Sequence, residues 1–197
     1  MIAACGARST APLPQVHLWP VSPQLAGGTQ VVTVVVRETT TVRWVSDARA
    51  LDKGTSMTID GSVAAVDATG RVYAWQNAAG KLELALFRDG KRIGKLDLEP
   101  GGRGVWPDAT GERVIVSGPQ LVMFGPDGAR VWTRPFVGVT HAVWLDDGAI
   151  AVVSALGIAR LDAKTGETLV KRCGWAFELA SKPHAGRPRI EPMCTQR

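Results

Sequence analysis

The chain has 197 residues, enough for one well-packed domain, with 45% hydrophobic and 21% charged residues, proportions that exclude a disordered chain and a membrane-spanning bundle. Its 22 glycines, 12 prolines and recurrent valines point to many short strands joined by turns. The formal charge of +5 comes from scattered basic residues, partly gathered at Lys182, Arg187 and Arg189, without the basic, aromatic-lined stripe of a nucleic-acid binder.

At the N-terminus, Ile2-Ala3-Ala4-Cys5-Gly6 resembles the lipobox at which bacterial lipoprotein precursors are cleaved and the cysteine is lipidated. The basic and apolar leader such a signal requires would then lie upstream of Met1. Residues 1–27, rich in Ala, Pro, Ser and Gly, read as a flexible tether, and a lipid on Cys5 would be the chain's contact with a membrane. No apolar run reaches the 18 residues of a transmembrane helix; the longest, Val31 to Val36, is broken by Thr33 and reads as a buried strand.

From residue 28 onward the turn glycines repeat. Gly54, Gly90, Gly128 and Gly166 are spaced 36, 38 and 38 residues apart, while Gly70, Gly111 and Gly148 form a second series spaced 41 and 37 apart. Two interleaved turn series define one repeating unit, expected as an incomplete copy over 28–56 and complete copies over 57–100, 101–138 and 139–172. Each unit reads as four strands. A short inner segment, such as Gly104-Val105-Trp106-Pro107 or Ala142-Val143-Trp144-Leu145, runs into an Asp turn, and a β-branched strand follows, as in Arg113–Ser117 or Ala149–Val153. The third strand alternates, with Leu82, Leu84 and Leu86 set against Lys81, Glu83 and Ala85. The fourth carries Lys or Arg at its ends, as in Lys91–Lys95, Arg130–Arg134 and Glu167–Lys171, which suits an exposed sheet edge. The turn aspartates have a local role, because a carboxylate accepts hydrogen bonds from the amides just ahead of it.

Repeats of this length and strand order make the blades of a β-propeller, so the expected fold is all-β, an arc or ring of about four four-stranded antiparallel blades. The segment Ala159-Arg160-Leu161-Asp162-Ala163-Lys164-Thr165-Gly166-Glu167-Thr168-Leu169 resembles the PQQ-like repeat, and Gly125–Trp132 is a looser copy. Together with Cys5, the resemblance implies a propeller lipoprotein of the kind that scaffolds outer-membrane protein assembly, a non-catalytic platform for a protein partner in the periplasm or at the outer membrane. Relatives that hold pyrroloquinoline quinone use a set of cofactor-binding residues without counterpart here, so no cofactor is expected.

The tail, 173–197, contains Cys173 and Cys194. With Cys5 lipidated these two form an even pair able to close a 22-residue loop as a disulfide in an oxidising compartment; three unrelated thiols in a cytoplasmic protein is the alternative. Catalytic motifs are lacking: no Gly-x-Ser-x-Gly elbow, phosphate loop or dinucleotide fingerprint occurs. His17, His141 and His184 are too dispersed for a zinc site, and Asp146–Asp147–Gly148 lacks the further oxygen ligands of a calcium loop. Trp106, Trp132 and Trp144 are expected to pack between blades. Trp19 and Trp175, which flank the repeats, and His141, near a mouth of the channel, are the candidates for a partner surface. A small-molecule-binding or enzymatic propeller in which residues such as His141 and Asp146 line the central channel, and a cytoplasmic subunit of a larger assembly, are the competing readings.

Overall fold

The computed structural model describes residues 14–36, 39–47, 49–50, 52–99, 101–102, 104–136, 138–154 and 157–173. They form sixteen strands in four antiparallel sheets of four, each a meander in which neighbours in sequence are neighbours in the sheet. Blade 1 comprises β1 (Gln15–Trp19), β2 (Gln30–Val36), β3 (Thr39–Val45) and β4 (Thr55–Ile59); blade 2, β5 (Gly61–Val66), β6 (Val72–Ala78), β7 (Lys81–Arg88) and β8 (Lys91–Leu96). Blade 3 comprises β9 (Gly104–Pro107), β10 (Val114–Ser117), β11 (Leu121–Phe124) and β12 (Arg130–Arg134); blade 4, β13 (Val139–Trp144), β14 (Ala149–Ser154), β15 (Gly157–Asp162) and β16 (Thr168–Cys173).

Blade 1 departs from the expectation. Residues 15–19 form a strand paired along its length with β2, inside the segment read as a tether, so the first unit has four strands and ends at Ile59. Flanking prolines at 14 and 20 make this stretch look like a linker, yet Val16 and Leu18 alternate with Gln15 and His17 in the period of a strand. Cys5, Trp175 and Cys194 lie outside the described residues, as does the side chain of Cys173.

The first strands of blades 2, 3 and 4 are innermost, β9 lying against both β5 and β13. A blade sandwiched between two others buries both faces of its middle strands. Thus β10 and β11 are apolar except for Ser117 and fully buried. Three apolar clusters fill the wedges between blades. Val31, Val42, Trp44 and Ile59 meet Val66, Val72, Ala74 and Phe87; Tyr73, Leu84 and Leu86 meet Val114, Val116 and Phe124; Ile115, Leu121, Met123 and Trp132 meet Ile150, Val152, Ala159 and Leu161. Among the described residues no such cluster joins blade 4 to blade 1, and the four blades form an open arc.

Candidate functional site

The turns between first and second strands and between third and fourth strands share one end of the arc, because a meander reverses at every hairpin. At this end four aspartates are taken up locally. Asp67, buried between β5 and β6, accepts the Thr69 amide at 2.9 Å, the Arg71 amide at 3.0 Å and the Thr69 hydroxyl at 2.6 Å. Its other oxygen accepts the Tyr73 hydroxyl at 3.2 Å and faces the Arg71 guanidinium at 3.5 Å. Burial, followed by the Asp67 charge, holds the Tyr73 phenol protonated well above the usual tyrosine range.

Blade 3 repeats the arrangement. Asp108 accepts the amides of Glu112 and Arg113 and the Thr110 hydroxyl, and pairs with Arg113 Nε at 3.1 Å. The Arg113 guanidinium also lies 4.9 Å over the Trp144 ring, tying blade 3 to blade 4. In blade 4 Asp147 accepts the Ala149 amide and pairs with Arg160. Asp162 accepts the amides of Thr165 and Lys164 at 2.8 Å each and the Thr165 hydroxyl. The Thr165 amide foremost keeps the Asp162 carboxyl below its ordinary range, against an opposing effect of desolvation. What the sequence does not disclose is the set of cations, Arg71, Arg113 and Arg160, that completes these turns. Arg71 and Arg113 are four and five residues after their aspartates and are visible as a pattern only once the turns are aligned.

His141 is exposed and meets the edge of the Trp106 ring at 6.2 Å between centroids. The Trp106 indole folds back along its own strand across Gly104, where a Cβ would stand 2.0 Å from the ring, so only glycine fits there. Asp146 lies in the turn at the opposite end of β13, roughly 16 Å along the strand from His141. The pair considered for a channel site therefore does not converge. Trp19 is only partly exposed: its indole donates to the Thr33 hydroxyl at 3.2 Å, and the ring packs on the first inter-blade cluster with His17 edge-on at 4.6 Å. Trp19 is thus mainly a packing residue, and His17 is its exposed neighbour.

Tryptophan and arginine side chains stitch one blade to the next through backbone carbonyls. Trp44 Nε1 donates to the Gly70 carbonyl at 2.9 Å, Trp132 Nε1 to Ala163 at 3.0 Å, Trp144 Nε1 to Trp106 at 3.0 Å, and Arg134 Nε to Gly166 at 3.0 Å. A hollow of about 280 Å³ at the junction of blades 3 and 4 is lined by Phe136, Val152, Ile158, Arg134 and Lys171, but Arg134 is already bound to carbonyls. A larger one of about 690 Å³ beside the β6–β7 hairpin holds Glu83, which pairs with Arg92 at 2.6 Å and Lys95 at 3.6 Å. Among the described residues no group of three His, Cys, Asp or Glu side chains is placed to hold a metal ion.

No known protein family's profile matches the chain, and no curated protein matches it in sequence. Among solved structures, the crystal structure of BamB from Moraxella catarrhalis is similar to it at 15% identity and a TM-score of 0.55, a match that takes in 80% of this chain and 48% of that one. Myxococcus xanthus glutaminyl cyclase matches at 15% identity over 79% of this chain and 75% of that one, with a TM-score of 0.39, too loose a superposition to carry a correspondence. The fold is that of a β-propeller, and the chain spans about half the length of the solved propeller it matches.

Proposed function

We propose that the chain is a non-catalytic interaction scaffold of the bacterial envelope, held at a membrane by a lipid on Cys5, that binds a protein partner through its loop-built faces. One observation carries this reading: four aspartates at the turn end of the arc are held by the backbone amides, hydroxyls and arginines of their own turns. Asp67, Asp108, Asp147 and Asp162 each lock a turn, which makes this surface rigid. Rigid loops displayed on a sheet framework suit a protein partner. Location rests on the lipobox-like segment and the PQQ-like repeats, and the likeness to BamB is one of fold.

Two measurements test the scaffold reading. Metabolic palmitate labelling is expected to mark the chain in its own cells and to disappear in Cys5→Ser, with release from the membrane fraction; an unlabelled, unattached wild type refutes the tether. Photo-crosslinkers at positions 109, 146 and 164 are expected to trap one discrete partner, and the absence of any crosslinked species at all three refutes the platform.

A further inference from the structure

In blade 2 the β6–β7 hairpin reaches past its neighbour in blade 3. β6 and β7 pair over seven rows, from Val72–Phe87 to Ala78–Lys81, whereas β10 and β11 pair over four, from Val114–Phe124 to Ser117–Leu121. The ribbon therefore runs three rows, roughly 10 Å, further at the hairpin end. β8 does not follow it. Its last row is Leu96 opposite Leu84, after which the chain leaves for blade 3, where the Asp97 carbonyl accepts Arg130 at 2.9 Å. The hollow of about 690 Å³ opens between the two, with Lys81 and Leu82 on one wall and Asp97 and Leu98 on the other.

In an antiparallel pair each residue turns both its N–H and its C=O to one neighbour, and successive residues alternate. Ala79 and Gly80, with φ of +51° and +78°, make a two-residue turn that closes on the hydrogen-bonded Ala78–Lys81 pair. Lys81 and Glu83 thus direct their backbone groups to β6, and Leu82 and Leu84 turn theirs the other way. Leu84 meets Leu96 there, but Leu82 faces the hollow with no strand opposite it among the described residues. The side chains alternate as well. Leu82 shares the face of Leu84 and Leu86, where Leu96 and Leu98 pack, and is 53% exposed. Lys81 and Glu83 lie on the other face. Glu83 is held by Arg92 at 2.6 Å and Lys95 at 3.6 Å, which leaves Lys81, among the described residues, a cation without a carboxylate.

We infer that this hollow takes an extended segment of a protein partner, added as a short strand along β7 where β8 leaves off, with an aliphatic residue opposite Leu82 and an acidic one opposite Lys81. The backbone of the segment takes up the free N–H and C=O of Leu82. Its aliphatic side chain covers Leu82 against Leu98, its acid pairs with Lys81, and the residue opposite Glu83 is neutral because Glu83 and Asp97 repel a second acid there. The volume lies within the ~300–1,000 Å³ of recognition hollows. Along β8 itself the bulge at Ile93 and the exposed Lys91 and Lys95 blunt the outer edge, which directs strand addition to Leu82. The inference rests on the scaffold reading for the existence of a protein partner and needs neither a lipid on Cys5 nor the turn end of the arc.

Fluorescence anisotropy with the purified 197-residue chain and the fluorescein-labelled, amidated heptapeptide TVTVEVT is expected to give saturable binding with a Kd below about 100 μM. Replacing its glutamate by lysine, or N-methylating the valine before the glutamate, is expected to weaken binding at least ~5-fold. In the chain, Leu82→Asp and Lys81→Glu are expected to weaken it by a similar factor with unchanged far-UV circular dichroism, since both side chains are exposed. Lys81→Glu should also gain affinity for the lysine peptide. Leu82→Ser reads the same position should the aspartate variant fail to fold. No saturable binding, equal affinity for the glutamate and lysine peptides, indifference to N-methylation, or indifference to substitution at 81 and 82 would each overturn the site. The assay uses the purified chain, so failure of the scaffold reading shows separately, in the palmitate labelling and in the crosslinks at 109, 146 and 164.

Discussion

Replacing Trp132 by alanine tests the claim that blades are held together by an aromatic wedge and a carbonyl stitch. Trp132 is 7% exposed, lies in the apolar cluster between blades 3 and 4, and donates to the Ala163 carbonyl at 3.0 Å. Truncating a buried tryptophan costs about 3–5 kcal/mol, and the stranded carbonyl accounts for roughly 1 kcal/mol of it. That is a large share of the ~5–15 kcal/mol that holds a domain of this kind folded. The phenylalanine variant retains most of the ring and loses the donor, so its cost is expected at about 1–2 kcal/mol. Urea unfolding followed by far-UV circular dichroism measures both, with an unchanged m-value as the check that the folded state is the same. Since interactions in a repeat architecture run between neighbours, hydrogen exchange should accelerate in β15 and β16 and leave β2 and β3 nearly as protected as before. Gly166 supplies a second reading, because its φ is +71° and a Cβ there would stand 2.7 Å from the Trp132 ring. Gly166→Ala should therefore cost more in the wild type than in Trp132→Ala, where only the backbone strain of ~1–2 kcal/mol remains. The reasoning is refuted if Trp132→Ala loses less than ~1 kcal/mol, or if Phe and Ala at this position are equally damaging.

Further outcomes follow from the turns. Asp108→Ala removes the acceptor of two amides, a hydroxyl and Arg113, and is expected to lower stability by about 2–4 kcal/mol in the same urea assay. Tyr73 has a folded-state pKa above its unfolded value near 10, so at alkaline pH the unfolded chain releases this proton first. Stability present below pH 10 is then lost as the pH rises past it, by up to ~1.4 kcal/mol per pH unit, and Tyr73→Phe should show a shallower alkaline decline than the wild type. The depressed pKa of Asp162 acts at the other end: its contribution is present above the ordinary carboxyl range and disappears as acid protonates the folded state, so Asp162→Asn should flatten the acid limb of the stability profile. Ile93, Val131 and Leu169 occupy the same β-bulge in the fourth strands of blades 2, 3 and 4 and are about half exposed, so Val131→Thr should change stability by no more than ~0.5 kcal/mol.

The repeat length, the strand order and the locked turns are all written in one dimension. A hairpin turn is decided by four or five adjacent residues, and the aspartates at 67, 108 and 162 reach only amides within five positions of themselves. Alternation within β7 likewise reveals a two-sided strand, because side-chain direction follows from backbone geometry alone. Blade 1 is less legible, since β1 and β2 are separated by a ten-residue connection whose turn glycines fall outside the repeating register.

What only the tertiary structure decides is which apolar face has a neighbour. Val153 and Val152 look alike in the sequence, yet Val152 is buried against blade 3 and Val153 faces outward from blade 4. The parting of His141 from Asp146, the partial burial of Trp19 and the hydrogen bonds from Trp44 and Trp132 to carbonyls 26 and 31 residues away are of the same kind. Local sequence fixes φ, ψ and the alternation of faces, whereas contact between blades depends on the angle at which whole sheets meet, a quantity summed over dozens of residues and carried by no single motif.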